Sequence, residues 1–119
     1  MVKKPPRNFV VGWLKGFLDG EGCITTQNSS KIKRGYPRIA VEQVDQATIC
    51  KYKEYLEELG FSPTEIKPTQ RMGRQEINRV YLNKATDIIR FHRLLGFTDP
   101  RKQFKLDRWA EELYKRGNK

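Results

Sequence analysis

Two carboxylates, Asp19 and Glu21, follow directly on an apolar segment in which Gly12, Gly16 and Gly20 recur in steps of four. Val10, Trp13, Leu14 and Phe17 have the spacing of an amphipathic helix, which predicts a helix over 8–19. Each interior glycine costs a helix roughly 1 kcal/mol against alanine. Glycines can relax a chain near a helix end, or they can let another helix backbone approach closely; their repetition on one face favours close approach. Glu21, at the C-terminal end of this helix, meets the negative end of the macrodipole and calls for positive compensation. If the helix packs against its twin through Gly12 and Gly16, two Glu21 carboxylates come close and must repel or take up a proton. Divalent cations remove that conflict. Magnesium prefers carboxylate oxygens, waters and phosphates, and suits such a site better than zinc.

The elements that must hold these groups follow in order. The β-branched stretch 23–28 and the alternation of Ile39 and Val41 with Arg38, Ala40 and Glu42 predict two strands, 23–28 and 38–44. Between them, 29–37 has the turn chemistry and basic composition of an exposed hairpin tip. Asp45 is placed to cap a helix running to Leu59, with Gly60 as its stop. A second hairpin is expected from strands over 64–69 and 75–83, joined by another basic, glycine-containing turn. A helix over 85–95 stops at Gly96, and a last one begins at Thr98 or Asp99 with Pro100 in its first turn and Leu106, Trp109, Ala110 and Leu113 inward. The order is αββαββα plus a terminal helix. In a half-buried antiparallel sheet alternate residues face outward, which groups Thr25, Gln27 and Ser29 with Arg38, Glu65, Lys67 and Thr69.

The chain has 24 Lys and Arg against 14 Asp and Glu, a net charge of +10 at pH 7. That field attracts polyanions, and nucleic acid is the leading class of partner. A span of 119 residues fits one domain. No apolar run approaches the roughly 20 residues that cross a bilayer, so no membrane partner is expected, and without a signal-peptide pattern the default location is intracellular, the cytoplasm or, in a eukaryote, an organelle. Cys23, Cys50 and the single His92 form no familiar zinc cluster. Both cysteines read as small packing residues, His92 as a surface side chain, and Tyr52 and Trp109 as core aromatics rather than base-stacking platforms.

The stretch 14–22 resembles the LAGLIDADG motif at nearly every position: leucine, any residue, glycine, two apolar residues, Asp19, a small residue, an acid and glycine. Lys15 stands where the motif has alanine, and Glu21 where it usually has a second aspartate. The hairpins that follow agree with the core of the LAGLIDADG homing endonucleases, so the resemblance covers almost the whole chain. It implies an α+β fold with an antiparallel DNA-binding sheet saddle, one domain over 1–119 and a basic arm over 1–7.

The resemblance also implies site-specific double-strand cleavage of a long pseudo-palindromic DNA target by metal-dependent phosphodiester hydrolysis, leaving short 3′ overhangs. One motif per chain implies a homodimer, with Gly12, Gly16, Asp19 and Gly20 at the interface and Asp19 in a structural role such as capping the partner helix. Metal binding is assigned to Glu21 and Gly20, with Mg2+ as the cofactor, Mn2+ as a substitute and no small-molecule cofactor. Gln43 resembles the glutamine that ends strand 2 in the family, with Gln46 as the alternative, and Lys102 or Arg101 resembles the basic residue near the last helix. The family's second basic residue would fall near Ala47 or Thr48, neither of which carries charge; Lys51 could substitute. DNA contacts are expected from Thr25, Gln27, Ser29, Lys31, Lys33, Arg34, Arg38, Lys67, Thr69, Arg71, Arg74 and Asn78. Intron encoding is expected. The rival readings are a non-cleaving relative, an RNA maturase or repressor, and a basic RNA-binding protein of another fold.

Overall fold

Alternation along the strands decides which side of the sheet the helices cover. In the computed structural model, which describes residues 5–29, 32–70, 72–73 and 75–117 with the side chains of 27–29 and 32–34 left aside, Ile24, Ile39, Val41, Val80 and Leu82 are buried on one face. The elements are α1 (Arg7–Glu21), β1 (Gly22–Ser29), β2 (Ile32–Gln43), α2 (Gln46–Glu58), β3 (Lys67–Thr69), β4 (Ile77–Leu82), α3 (Ala85–Leu94) and α4 (Pro100–Gly117). The strands form one antiparallel sheet in the order β1-β2-β4-β3. This is the expected αββαββα order with a terminal helix.

Helix ends fall where the side chains allow. Asp45 caps α2 by accepting from the Thr48 backbone N–H at 3.2 Å, a contact worth about 1 kcal/mol in helices generally. Gly60 and Gly96 follow α2 and α3 at φ of 89° and 67°, a backbone conformation that glycine adopts without penalty. α1 buries Val10, Leu14 and Leu18, α2 buries Ile49, Tyr52 and Leu56, and α4 buries Leu106, Ala110 and Leu113.

The two hairpins differ from expectation in opposite directions. The first is longer: β1 and β2 pair as far as Ser29 and Ile32, so most of the segment expected as a loose tip over 29–37 is ladder, interrupted by an irregularity between Gln27 and Ser29. The second is shorter. Pro68 has no N–H to give and sits in an edge strand of 3 residues, while farther back Thr64 replaces a ladder rung with its side chain: its Oγ1 accepts from Tyr81 N at 3.0 Å and its own N–H donates to Tyr81 O at 2.9 Å. Among the described residues no helix is long and apolar enough to cross a membrane.

Candidate metal and nucleic-acid site

The glycines of α1 divide by what surrounds them. A Cβ on Gly22 would stand 2.9 Å from the Leu18 backbone oxygen and 2.7 Å from its side chain, so the motif's last glycine is demanded by the turn from α1 into β1. A Cβ on Gly12, Gly16 or Gly20 would meet nothing within 4 Å. These three lie exposed on one face, and Phe9, at helical spacing from all three, is exposed there too. Among the described residues nothing packs on that bare strip.

The two acids divide in the same way. The Asp19 carboxylate accepts from the Thr98 backbone N–H at 2.8 Å, and the Asp19 carbonyl accepts from Lys102 Nζ at 3.0 Å. Asp19 therefore clamps the α3–α4 turn of its own chain through Oδ1 and its carbonyl. Glu21 is exposed at the carbonyl end of α1, and no ion pair or hydrogen bond engages its carboxylate among the described residues.

A cleft of about 280 Å3 opens between the start of β1 and the start of α4, lined by Cys23, Ile24, Asp99, Arg101, Lys102 and Lys105. Hydrogen bonding from the Arg101 backbone holds the Asp99 carboxyl below its usual range, with the nearby cations adding to the effect. Lys102 is fixed against α1, whereas the Arg101 side chain is 94% exposed. The geometry distinguishes the two basic candidates: Lys102 is the one held at the site. Cys23 is exposed in this cleft, not packed as sequence suggested. Gln43 is the last residue of β2, two past Val41, which pairs with Gly22 at the start of β1. The Gln43 Oε1 accepts from Asp45 N at 3.1 Å, which orients the amide. Gln46 starts α2 exposed, Thr48 is spent on the cap, and Lys51 is exposed one turn along.

Whether these groups suit a divalent cation is a question of donor chemistry. An unengaged carboxylate at a helix carbonyl end is a hard oxygen donor. Among the described residues no three His, Cys, Asp or Glu side chains gather, so a cation at Glu21, with the Gly20 carbonyl as the nearest backbone donor, would draw its remaining ligands from a second Glu21, waters or phosphate oxygens. The set fits magnesium better than a softer metal.

The uncovered face of the sheet carries polar side chains held in place. Thr25 lies opposite Arg38 and its Oγ1 accepts from Arg38 Nε at 3.3 Å; the Arg38 guanidinium lies 4.2 Å from the centre of the Tyr81 ring. Lys67 lies opposite Arg79, which pairs with Glu42 at 3.1 Å, and Thr69 lies opposite Ile77. Thr25, Arg38, Lys67 and Thr69 thus share one face, as expected. Two expectations fail. Asn78 is only 5% exposed and turns its amide inward, donating to the carbonyls of Gln43 and Val44 at 3.1 and 3.2 Å, because its parity is that of Val80 and Leu82. Glu65 lies outside the strands and pairs with Lys53 of α2 at 3.3 Å. Lys31, Arg71 and Arg74 lie outside the described residues, as do the side chains of Gln27, Ser29, Lys33 and Arg34.

Sequence reading missed three features. Tyr81 as the platform under Arg38 was legible only as an outward strand residue. The Asp19–Thr98 clamp joins residues 79 apart and leaves no local signal. Lys105 as a cleft residue was hidden among the many charges of α4.

This chain belongs to the LAGLIDADG-like domain family, whose model matches residues 8–96. Among solved structures it is similar to the group I intron-encoded homing endonuclease I-CeuI complexed with DNA, at a TM-score of 0.63 and 17% identity over 98% of this chain. The chain spans 59% of that protein's length. No curated protein sequence matches it.

Proposed function

We propose that this protein is a homing endonuclease that works as a homodimer and hydrolyses both strands of a long pseudo-palindromic DNA duplex with the help of magnesium. The observation that carries the reading is a Glu21 carboxylate without an ion pair or hydrogen bond among the described residues, at the end of a helix whose bare glycine strip packs on none of them.

Two copies of α1 crossing at Gly12 and Gly16 allow their backbones to approach closely, with Phe9 filling the space that the partner's glycines leave. A two-fold contact of this kind is self-complementary and brings both Glu21 carboxylates to the axis. Bound there, Mg2+ or Mn2+ would supply the positive charge that makes a water nucleophilic and steadies the leaving oxygen. Glu21 holds it, with the Gly20 backbone beside it. Lys102, already fixed to Asp19 O, sets an ammonium where negative charge grows on the phosphate. Gln43 has its Oε1 committed to Asp45 N and keeps its Nε2 to orient solvent. Arg101 lines the same cleft as a mobile cation. On the sheet, Thr25, Arg38, Lys67 and Thr69 read base edges and phosphates in the major groove, a role the sequence also assigns to Gln27, Ser29, Lys31, Lys33, Arg34, Arg71 and Arg74. Cutting by two such sites leaves short 3′ overhangs.

A non-cleaving maturase or repressor would use the same sheet but has no need for an unengaged carboxylate near phosphate. Selection of cleaved sites from a randomised duplex library, with magnesium, calcium or no metal, separates the two. Magnesium-dependent recovery of one pseudo-palindromic site is expected. A site bound tightly yet uncut with either magnesium or manganese would establish the binder instead.

A further inference from the structure

α4 begins at Pro100, past the end of the family match at residue 96, and buries Leu106, Ala110 and Leu113 on its inner side. Its outer flank is built differently. Phe104 is 62% exposed with the Arg108 guanidinium 5.8 Å from its ring centre. Trp109 is half-buried, with Arg116 5.6 Å from its ring. Together with Lys105 and Glu112 these side chains line a largely apolar groove of about 350 Å3. Arg116 is offset by Glu112 at 3.2 Å, whereas Lys105 and Arg108 have no carboxylate partner among the described residues. Lys105 lines both this groove and the cleft between β1 and α4, so the two adjoin at that side chain.

We propose that this flank of α4 is a seat for single-stranded DNA, receiving the unpaired end of a strand as it leaves the cleft between β1 and α4. The chemistry of the groove selects the occupant. Two unbalanced cations call for phosphates, and an exposed phenyl ring calls for a flat apolar surface. A duplex offers the first but hides its base faces in the stack. An unpaired strand offers both, with a base laid on Phe104 and the guanidinium of Arg108, and phosphates beside Lys105 and Arg108. A second copy of the chain is the poorer fit, because a two-fold contact here would set Lys105 and Arg108 against their own images. Identifying the strand as the freshly cut 3′ end rests on the nuclease reading; the seat itself does not.

The test is a titration of the full-length protein with a short oligothymidine, without divalent metal so that no cutting occurs, followed by tryptophan fluorescence. Binding is expected to quench the signal, and Trp109→Phe to remove the quench, since the remaining indole, Trp13, is stacked on Phe17 at 5.0 Å within the α1–α2 aromatic cluster. Phe104→Ala and Arg108→Gln are each expected to weaken oligothymidine binding by at least about fivefold, with duplex binding unchanged. The proposal is overturned by absent binding at low salt, by a quench that survives Trp109→Phe, or by Phe104→Ala without effect. Oligouridine binding far more tightly than oligothymidine would assign the groove to RNA instead, and a changed oligomeric state in Phe104→Ala would assign it to self-association. A protein that cuts nothing yet passes this titration would sink the nuclease reading and leave the seat standing.

Discussion

The inward and outward sides of α1 are made from the same motif and answer to different partners. Inward, Val10, Leu14 and Leu18 are buried, Gly22 is pressed against Leu18, and Asp19 clamps the turn that leads into α4. Outward, a Cβ on Gly12, Gly16 or Gly20 would meet nothing within 4 Å, Phe9 is exposed, and Glu21 has no ion pair or hydrogen bond among the described residues. The inward half of the motif is explained by the fold of one protomer. The outward half is not, and an element that accepts the helix penalty of three glycines without an internal return is shaped for something outside the chain.

Substitutions on each side should therefore separate folding from assembly. The inward side comes first in size. Leu14→Ala empties space in a fully buried site and is expected to destabilise the protomer by about 2–5 kcal/mol, read from denaturant unfolding. Gly16→Leu acts on the outward side and should do the reverse inside the protomer: the added side chain meets nothing and helix propensity improves by roughly 1 kcal/mol. In sedimentation the unaltered protein is expected to be dimeric and the same variant monomeric; a dimer that persists in the variant would break the distinction between the two sides.

Asp19→Asn tests the clamp. The carboxylate's charge-assisted bond to Thr98 N is lost or weakened, at an expected cost of about 1–3 kcal/mol, with cutting slowed because Lys102 is carried by the same turn. A cutting defect without a stability loss would mean that Asp19 belongs to the outward, chemical side after all. The smallest effect is expected at Tyr52, whose buried hydroxyl has no partner among the described residues and whose ionisation burial pushes far up. Tyr52→Phe keeps the packing against Phe17, 5.2 Å away between ring centres, and should change stability by no more than about 1 kcal/mol, in the stabilising direction.

Legibility in the sequence followed the range of the interaction. Helix and strand identity, the Asp45 cap and the Gly60 and Gly96 stops depend on periods and neighbours, and each was readable from the residues alone. Hairpin lengths were not, because β1–β2 pairing past residue 28 and the Thr64–Tyr81 substitution for a ladder rung are decided by the opposite strand. Asn78 was misplaced for a related reason: a polar residue in a strand reads as outward, yet here its amide serves two carbonyls at the end of β2. Lys102 and Arg101 were indistinguishable as neighbours in sequence. Only the approach of α4 to the Asp19 carbonyl separates them.

The central claim concerns Glu21, and its most direct test compares cutting with binding in Glu21→Gln. The substitution keeps the size of the side chain and removes the charge from an exposed group that has no ion pair or hydrogen bond among the described residues. Folding, dimerisation and affinity for the selected duplex should be unchanged, while magnesium-dependent cleavage falls by at least about a thousandfold. Undiminished cleavage by this variant, or loss of duplex binding by a folded dimer, would contradict the account.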